Sequence, residues 1–312
     1  MTIDEAISLF LDDRETGHAA GKECSKKTLE SYKYNLLIMR NWFLSEAGVT
    51  KYEAMTREQM KQFREWAEAK VISGRWSKAT KIALFGVLRT FFLWVGQDED
   101  LQQAGLQSYK RWLPPIGEKP NRIDIPPLAD MKSFIEGFNT EDLWEYRDFV
   151  LTSLLIDTGM RIGEACNLRL EGLRLEERIL HVEGKTGRRT VPMTVDMVRI
   201  LRGWIKRRAV CRYAKDSPYV FVSKRAPKLN EGAIAQSFIK HRAKLGLPRI
   251  SAHTFRHAYA TNYLEEGGNM EYLRINMGHQ TYEMLRKYLH LSQQRSKKSQ
   301  TELERVSLLK KV

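Results

Sequence analysis

Cysteine is scarce in this chain and scattered: Cys24, Cys166 and Cys211 are odd in number, far apart, and in no C-x-x-C spacing. That excludes a disulfide-stapled secreted scaffold and a cysteine-based metal cluster, so the thiols read as reduced. Long apolar runs are missing too, and no stretch approaches the roughly 20 residues that a membrane-spanning helix needs. The opening MTIDEAISLFLDD is acidic where a secretory signal carries positive charge. Together these absences predict a cytoplasmic, nucleoid-associated protein with no membrane contact. Proline is sparse, and five of the nine prolines crowd into LPPIGEKPNRIDIPPLAD, between Pro114 and Pro127. Helix cannot run through such a stretch and extended backbone is favoured, which marks an interdomain linker. No internal repeat and no low-complexity tract is present.

Negative charge is also in deficit. Lys and Arg number 52 against 38 Asp and Glu, a net charge of +14 with a pI near 9.6. Such an excess calls for a polyanionic partner, and nucleic acid is the leading candidate. At 312 residues the chain is long enough for about two domains with buried cores. The proline cluster divides it into residues 1–113, a linker over 114–127, and residues 128–312.

The first part reads as helical. Thr2 with Glu5, and Thr56 with Gln59, have capping-box spacing, and Ser77 can cap SKATKIALFGVLRTFFLWVG. Leu29, Tyr32, Leu36, Met39 and Phe43 recur at steps of three and four, which predicts one apolar stripe on a helix from about Ser25 to Ser45. Four or five helices are expected in all. Lys26, Lys33 and Arg40 are spaced by seven and form a ridge beside that stripe, and Lys78, Lys81 and Arg89 decorate the last helix in a similar way. Each set alone fits a solvated flank with snorkelling side chains. Two basic helices in one small domain favour a surface that grips phosphates.

After the linker, helix alternates with short β elements. EDLWEYRDFVLTSLLIDTG predicts a buried helix ended by Gly159, and MRIGEACNLRL begins another. RILHVEGKTGRRTVPMT reads as a hairpin whose turn holds Gly184 and Gly187, YVFVS as a further short strand, and most of the remainder as helix. The fold class is therefore mainly α with a small β component: a helical N-terminal domain followed by a mixed α/β domain.

Two familiar patterns fail. GKT at Gly184–Thr186 looks like the end of a phosphate-binding P-loop, but the required first glycine falls on Ile179. HTFRH sets His253 and His257 on one helical face like a zinc pair, yet Thr254 stands where a metalloprotease needs glutamate and no third ligand is evident. Near the C-terminal end, GHQTYEMLRKYLH holds Tyr282 and Tyr288, which would point about 120° apart on a helix. One can face a site while the other packs elsewhere.

What remains is an ordered set: Arg161 with Glu164 in TGMRIGEACNL, Lys185 in VEGKTGRRTVPM, His253 and Arg256 in HTFRHAYAT, and His279 nine residues before Tyr288 in MGHQTYEMLRKYLH. In these motifs and their order the chain resembles the tyrosine recombinase (phage integrase) family of site-specific DNA recombinases. The likeness covers the whole second domain, and the helical first domain is similar to the family's core-binding domain. The family's interval from second histidine to nucleophile selects Tyr288, leaving Tyr282 as a packing or capping-region aromatic. Met277 before Gly278 and Phe255 inside H-x-x-R are conservative departures from the family's pattern. Nothing before the first helical domain corresponds to a separate arm-binding domain, so the resemblance is to the simple two-domain members.

The resemblance implies catalysis by Arg161, Lys185, His253, Arg256, His279 and Tyr288, with no cofactor, ATP or metal. Cutting a phosphodiester without a metal requires fixed cations, and the planar guanidinium forks of Arg161 and Arg256 match the phosphate oxygens. A phenol with an ordinary pKa of about 10 must lose its proton as it attacks, and His253 is the expected acceptor. Lys185 would protonate the departing 5′ oxygen, His279 would hydrogen-bond a nonbridging oxygen, and Glu164 would orient Arg161. The product is a 3′-phosphotyrosine, resolved by rejoining in an integration, excision or resolution reaction. The implied partners are double-stranded DNA with an inverted-repeat site and a homo-tetramer on two paired sites. The tail, with Leu303, Val306 and Leu309 in helical register, would dock on a neighbouring subunit. Relaxation of DNA by a monomeric type IB topoisomerase and a noncatalytic DNA-binding regulator are the alternative readings.

Overall fold

The computed structural model describes residues 1–17, 23–115, 125–184, 187–283, 285–286 and 288–289. The chain forms two compact units, Met1–Asn121 and Arg122–Val312.

The first unit contains α1 (Ile3–Thr16), α2 (Lys26–Ser45), α3 (Arg57–Ile72), α4 (Lys78–Val95) and the short α5 (Glu99–Gln103). Local chemistry sets their starts. Thr2 Oγ1 accepts from the Glu5 amide at 3.1 Å while Glu5 accepts from the Thr2 amide at 2.7 Å, and Thr56 with Gln59 repeats the pattern at 3.3 and 3.0 Å. Ser25 and Ser77 cap α2 and α4 through the amides of Thr28 and Thr80. Each cap satisfies amides that the helix itself leaves open. The stripe on α2 faces inward: Leu36, Met39 and Phe43 are fully buried, joined by Asn35 and Trp42, and Leu29 and Tyr32 lie half-buried at the N-terminal end. The core they meet is aromatic, with Phe10 edge-on to Phe91 at 5.4 Å between centroids and Tyr52 stacked on Tyr109 at 5.0 Å. Truncating one such ring to alanine costs about 3–5 kcal/mol.

The second unit contains α6 (Leu128–Glu136), α7 (Leu143–Thr158), α8 (Ile162–Asn167), β1 (Leu173–Arg174), β2 (Ile179–Gly184), β3 (Gly187–Pro192), α9 (Val195–Arg208), α10 (Glu231–Lys244), α11 (Ala252–Glu265) and α12 (Met270–Met277). The buried helix expected to end at Gly159 is α7, and Gly159 closes it in the left-handed conformation, φ 62°. α7 packs against α9 and α11. The three strands form one antiparallel sheet in the order β1-β2-β3, and the hairpin register runs from Ile179↔Pro192 to Gly184↔Gly187. Lys185 and Thr186 between them lie outside the described residues. Leu180, Val182 and Val191 point into the core.

One expectation is corrected. YVFVS is not a strand: only Tyr219 makes a ladder contact, a single bridge to Arg169. The chain beside it turns into a 3-10 helix at Leu170–Gly172, so pairing stops after the Val220 amide donates to the Leu168 carbonyl at 2.8 Å. Side chains take over the backbone there. Arg208 donates to the carbonyls of Ala214, Ser217 and Tyr219, and the Trp204 indole to that of Val220 at 2.9 Å. The apolar run is explained by burial alone, since Val220, Phe221 and Val222 are fully enclosed.

Candidate active site

Arg161 and Glu164 sit at the start of α8, where helical spacing turns both towards the hairpin. The Arg161 amide donates to Glu164 Oε2 at 2.8 Å and its guanidinium Nη1 to Oε1 at 3.0 Å. A second arginine reaches the same carboxylate. Arg189 on β3 grips it as a fork, Nη1 to Oε1 at 2.8 Å and Nη2 to Oε2 at 2.7 Å. Glu164 is 5% exposed. Burial pushes its carboxyl up, but the Arg189 hydrogen bonds, the Arg161 amide and the charges of both arginines outweigh that, leaving it below the ordinary carboxylate range. β2 reaches its end against this group. A β-carbon on Gly184 would lie 2.6 Å from Glu164 Oε1, so glycine is required for the approach.

The end of α12 gathers the arginines. Gly278, with φ 61°, turns the chain so that its amide bonds the Ile275 carbonyl at 2.9 Å and the His279 amide bonds that of Arg274 at 3.0 Å. The carbonyls that follow have no helical partners, and they carry the negative end of the helix dipole. Four arginines take them in sequence: Arg189 Nε on Asn276 at 2.9 Å, Arg256 Nη2 on Met277 at 2.7 Å, Arg161 Nη2 on Gly278 at 3.0 Å and Arg274 Nη1 on His279 at 3.0 Å. A side chain at position 278 would crowd them, because its β-carbon would stand 3.0 Å from Arg189 Nη1 and 3.3 Å from Arg161 Nη1.

α11 supplies Arg256 and two histidines. Arg256 is buried, its Nη1 on the Gly159 carbonyl at 2.6 Å and its Nη2 on His279 Nε2 at 2.9 Å. Burial, with Arg161 nearby, lowers its pKa to about 10, so it stays charged at neutral pH. Because a guanidinium has only donors, His279 Nε2 must accept, which puts the ring proton on Nδ1.

Tyr288 is 1% exposed and packs with Ala260, Leu273, Met277 and Leu285. Its ring lies parallel to that of His279, with centroids 6.3 Å apart. Burial pushes the phenol up to about 12, and the charges of Arg256 and Arg161 offset part of that rise. Tyr288 Oη meets His257 Nδ1 at 2.8 Å. The histidine bonded to the phenol is thus His257. His253, the proton acceptor expected from sequence, is exposed one turn earlier, its ring centroid 6.5 Å from that of His257. Tyr282 is on the surface, 51% exposed, donating to Glu271 beneath the Arg274 guanidinium.

The structure therefore brings Arg161, Glu164, Arg256, His279 and Tyr288 together and adds Arg189, Arg274 and His257. Arg189 had a signal: it stands two residues before the inward-facing Val191, so strand alternation turns it to the core. His257 had only its place beside Arg256. Lys185 and the tail with Leu303, Val306 and Leu309 fall outside the described residues. Of the six basic residues expected to grip phosphates on the first unit, Lys26, Lys33 and Lys78 are exposed. Arg40 is committed to Asp4, Nε to Oδ1 at 2.9 Å and Nη2 to Oδ2 at 3.0 Å, Lys81 to Glu68, and Arg89 to the Pro114 carbonyl at 2.5 Å.

The sequence model of the phage integrase family matches residues 129–295. Tyrosine recombinase XerA of Pyrococcus furiosus is 24% identical over 286 residues, covering 90% of this chain and 91% of its own. Among solved structures, the XerH site-specific recombinase bound to palindromic difH substrate, a post-cleavage complex, superposes with a TM-score of 0.68 at 19% identity, covering 89% of this chain and 80% of that one. A lambda integrase tetramer bound to a Holliday junction gives 0.67 at 17% identity, covering 92% and 77%. These two structural likenesses concern the fold.

Proposed function

The chain belongs to the phage integrase family, the tyrosine recombinases, and we propose that it cuts and rejoins DNA at a specific site with Tyr288 as the nucleophile. The observation that carries the assignment is the phenol's setting: Tyr288 Oη bonds an imidazole inside a pocket built by Arg161, Arg256 and His279. Arg161 keeps 32% of its side chain exposed, so a phosphate can reach its fork while Glu164 holds the other edge. Arg256 and His279, joined by the Nη2–Nε2 hydrogen bond at 2.9 Å, are assigned to the same phosphate. The two guanidinium groups stabilise the charge that builds on the equatorial oxygens as Tyr288 attacks. The 3′ phosphate becomes bonded to Tyr288, and the 5′ oxygen leaves with a proton that we assign to Lys185. The reverse attack by a 5′ hydroxyl from a second duplex completes an exchange.

The helical unit is read as the domain that grips DNA, with Lys26, Lys33 and Lys78 as exposed phosphate contacts, and the second unit as the catalytic domain. A homo-tetramer on two inverted-repeat sites is the assembly that fits exchange between duplexes, with the tail bridging neighbouring subunits. The lambda integrase tetramer on a Holliday junction supports this reading. The test is a nicked duplex carrying the site, incubated without metal and resolved under denaturing conditions. Wild type should form a protein–DNA adduct. Tyr288→Phe should form none while still binding the duplex, and Tyr282→Phe should form the adduct. An adduct from Tyr288→Phe would refute the assignment.

A further inference from the structure

We propose that Arg189 is a positioning residue for strand cutting: it occupies the Glu164 carboxylate, so that the neighbouring Arg161 presents a fixed and uncompensated positive charge to the phosphate. The inference rests on the reading of Arg161 as part of the phosphate clamp. Its own observation is that one carboxylate serves two guanidinium groups unequally. Arg189 takes both oxygens as a fork, at 2.8 and 2.7 Å, whereas the Arg161 guanidinium has a single bond to Oε1 at 3.0 Å.

Arg189 reaches Glu164 through its register in the hairpin. It stands opposite Val182, which is buried, so the pleat turns both side chains inward. A hydrophobic residue at that place would fasten the hairpin to α8 without desolvating a charge. What the arginine adds is the charge itself. Arg189 is not placed to meet the substrate: Nε donates to the Asn276 carbonyl at 2.9 Å, both Nη atoms donate to Glu164, and its side chain is 9% exposed against 32% for Arg161.

Charge counting gives the consequence. Arg161 and Glu164 alone make a neutral pair, which offers an incoming anion only a dipole. With Arg189 the group carries one net positive charge, in a buried setting where water screens little. Its field extends to Arg256, whose pKa is lowered first by burial and Arg161, and by Arg189 as well. A phosphodiester brings one negative charge into this field, and the phosphorane formed as Tyr288 attacks carries two. The added charge therefore favours the transition state over the bound duplex. The same guanidinium joins the start of α8 to the end of α12, which keeps Arg161 at one angle.

Single-turnover cleavage of two nicked duplexes tests the proposal, one with an ordinary scissile phosphate and one with a methylphosphonate, whose phosphorane carries one charge fewer. Arg189→Met keeps the length of the side chain and removes its charge. It should cut the phosphate duplex about 10–100-fold more slowly than wild type and the methylphosphonate duplex within about threefold, with duplex affinity preserved. Combining Glu164→Gln with Arg189→Met restores the net positive charge on Arg161 and leaves no half-paired carboxylate. That double variant should cut the phosphate duplex at least about fivefold faster than Arg189→Met. Its ratio of phosphate to methylphosphonate rates should lie within about threefold of wild type, a readout that holds even if Arg189→Met fails to fold. A purely structural role would slow both duplexes alike in Arg189→Met, and that result overturns the proposal. So does a phosphate rate in Arg189→Met within about threefold of wild type, or a ratio in the double variant about tenfold or more below it. Tyr288→Phe in parallel separates these results from failure of the recombinase reading, because only that failure lets this variant form the adduct.

Discussion

Glu164 serves two arginines with one carboxylate, and its charge is what both of them are paired to. Glu164→Gln keeps the shape but leaves Arg189, 9% exposed, facing a neutral amide. Breaking a buried pair from one side costs about 3–5 kcal/mol, so a clear fall in melting temperature is expected, with slower cleavage as Arg161 loses its brace. The pH dependence has a definite sign. The folded carboxyl sits below its ordinary value of 4.5, so its stabilising effect is complete above that value and is lost as pH falls through the folded one. Melting curves taken from pH 7 down to 3 should show an acid-dependent decline that is smaller in Glu164→Gln. At this scale the sequence was informative where a residue type has few alternative uses. Arg161, Arg256, His279 and Tyr288 were identifiable from their ordered motifs, and they converge. The choice between His253 and His257 was not, since both lie on one face of α11 and only the position of Tyr288, on a distant segment, decides which ring it meets.

Elements were legible where chemistry is local. Caps depend on residues three apart, so Thr2 and Thr56 start helices as their spacing predicts and Ser77 caps α4 as expected, while Ser25 caps the helix whose start only the apolar stripe had placed. Thr56→Ala should cost about 1 kcal/mol in thermal unfolding without altering cleavage at the second unit. YVFVS failed as a strand because apolar, β-branched composition reports burial, while pairing depends on a neighbour that here bends away at Leu170. The α12 terminus makes the sharpest prediction. Gly278→Ala imposes a left-handed residue with a side chain, about 1–2 kcal/mol, and presses its methyl group on Arg189 and Arg161. Lower melting temperature and slower cleavage with duplex affinity preserved are the expected outcome. If affinity fell and the rate held, α12 would be a binding element instead.

For the whole molecule, the excess of 14 positive charges sets how it meets DNA. Affinity should fall linearly with log salt, with a slope of about −0.9 for each phosphate neutralised. Lys26→Ala and Lys33→Ala, exposed on α2, should each reduce that slope by about 0.9 when they contact phosphate. Arg40→Ala should act on stability through its Asp4 pair, by less than about 1 kcal/mol for a pair this exposed. The proline cluster suggested a linker over residues 114–127, and the chain's two compact units divide between Asn121 and Arg122. What could not be read was which distant side chains share one place, because Arg189 and Glu164 lie 25 positions apart and meet only once the hairpin packs on α8. The carbonyls of residues 276–279 give that meeting a kinetic meaning. Guanidinium groups pinned at fixed angles need not search for their orientation when a scissile phosphate arrives, so the slow motions of the cycle should belong to protein–DNA assembly rather than to the cations.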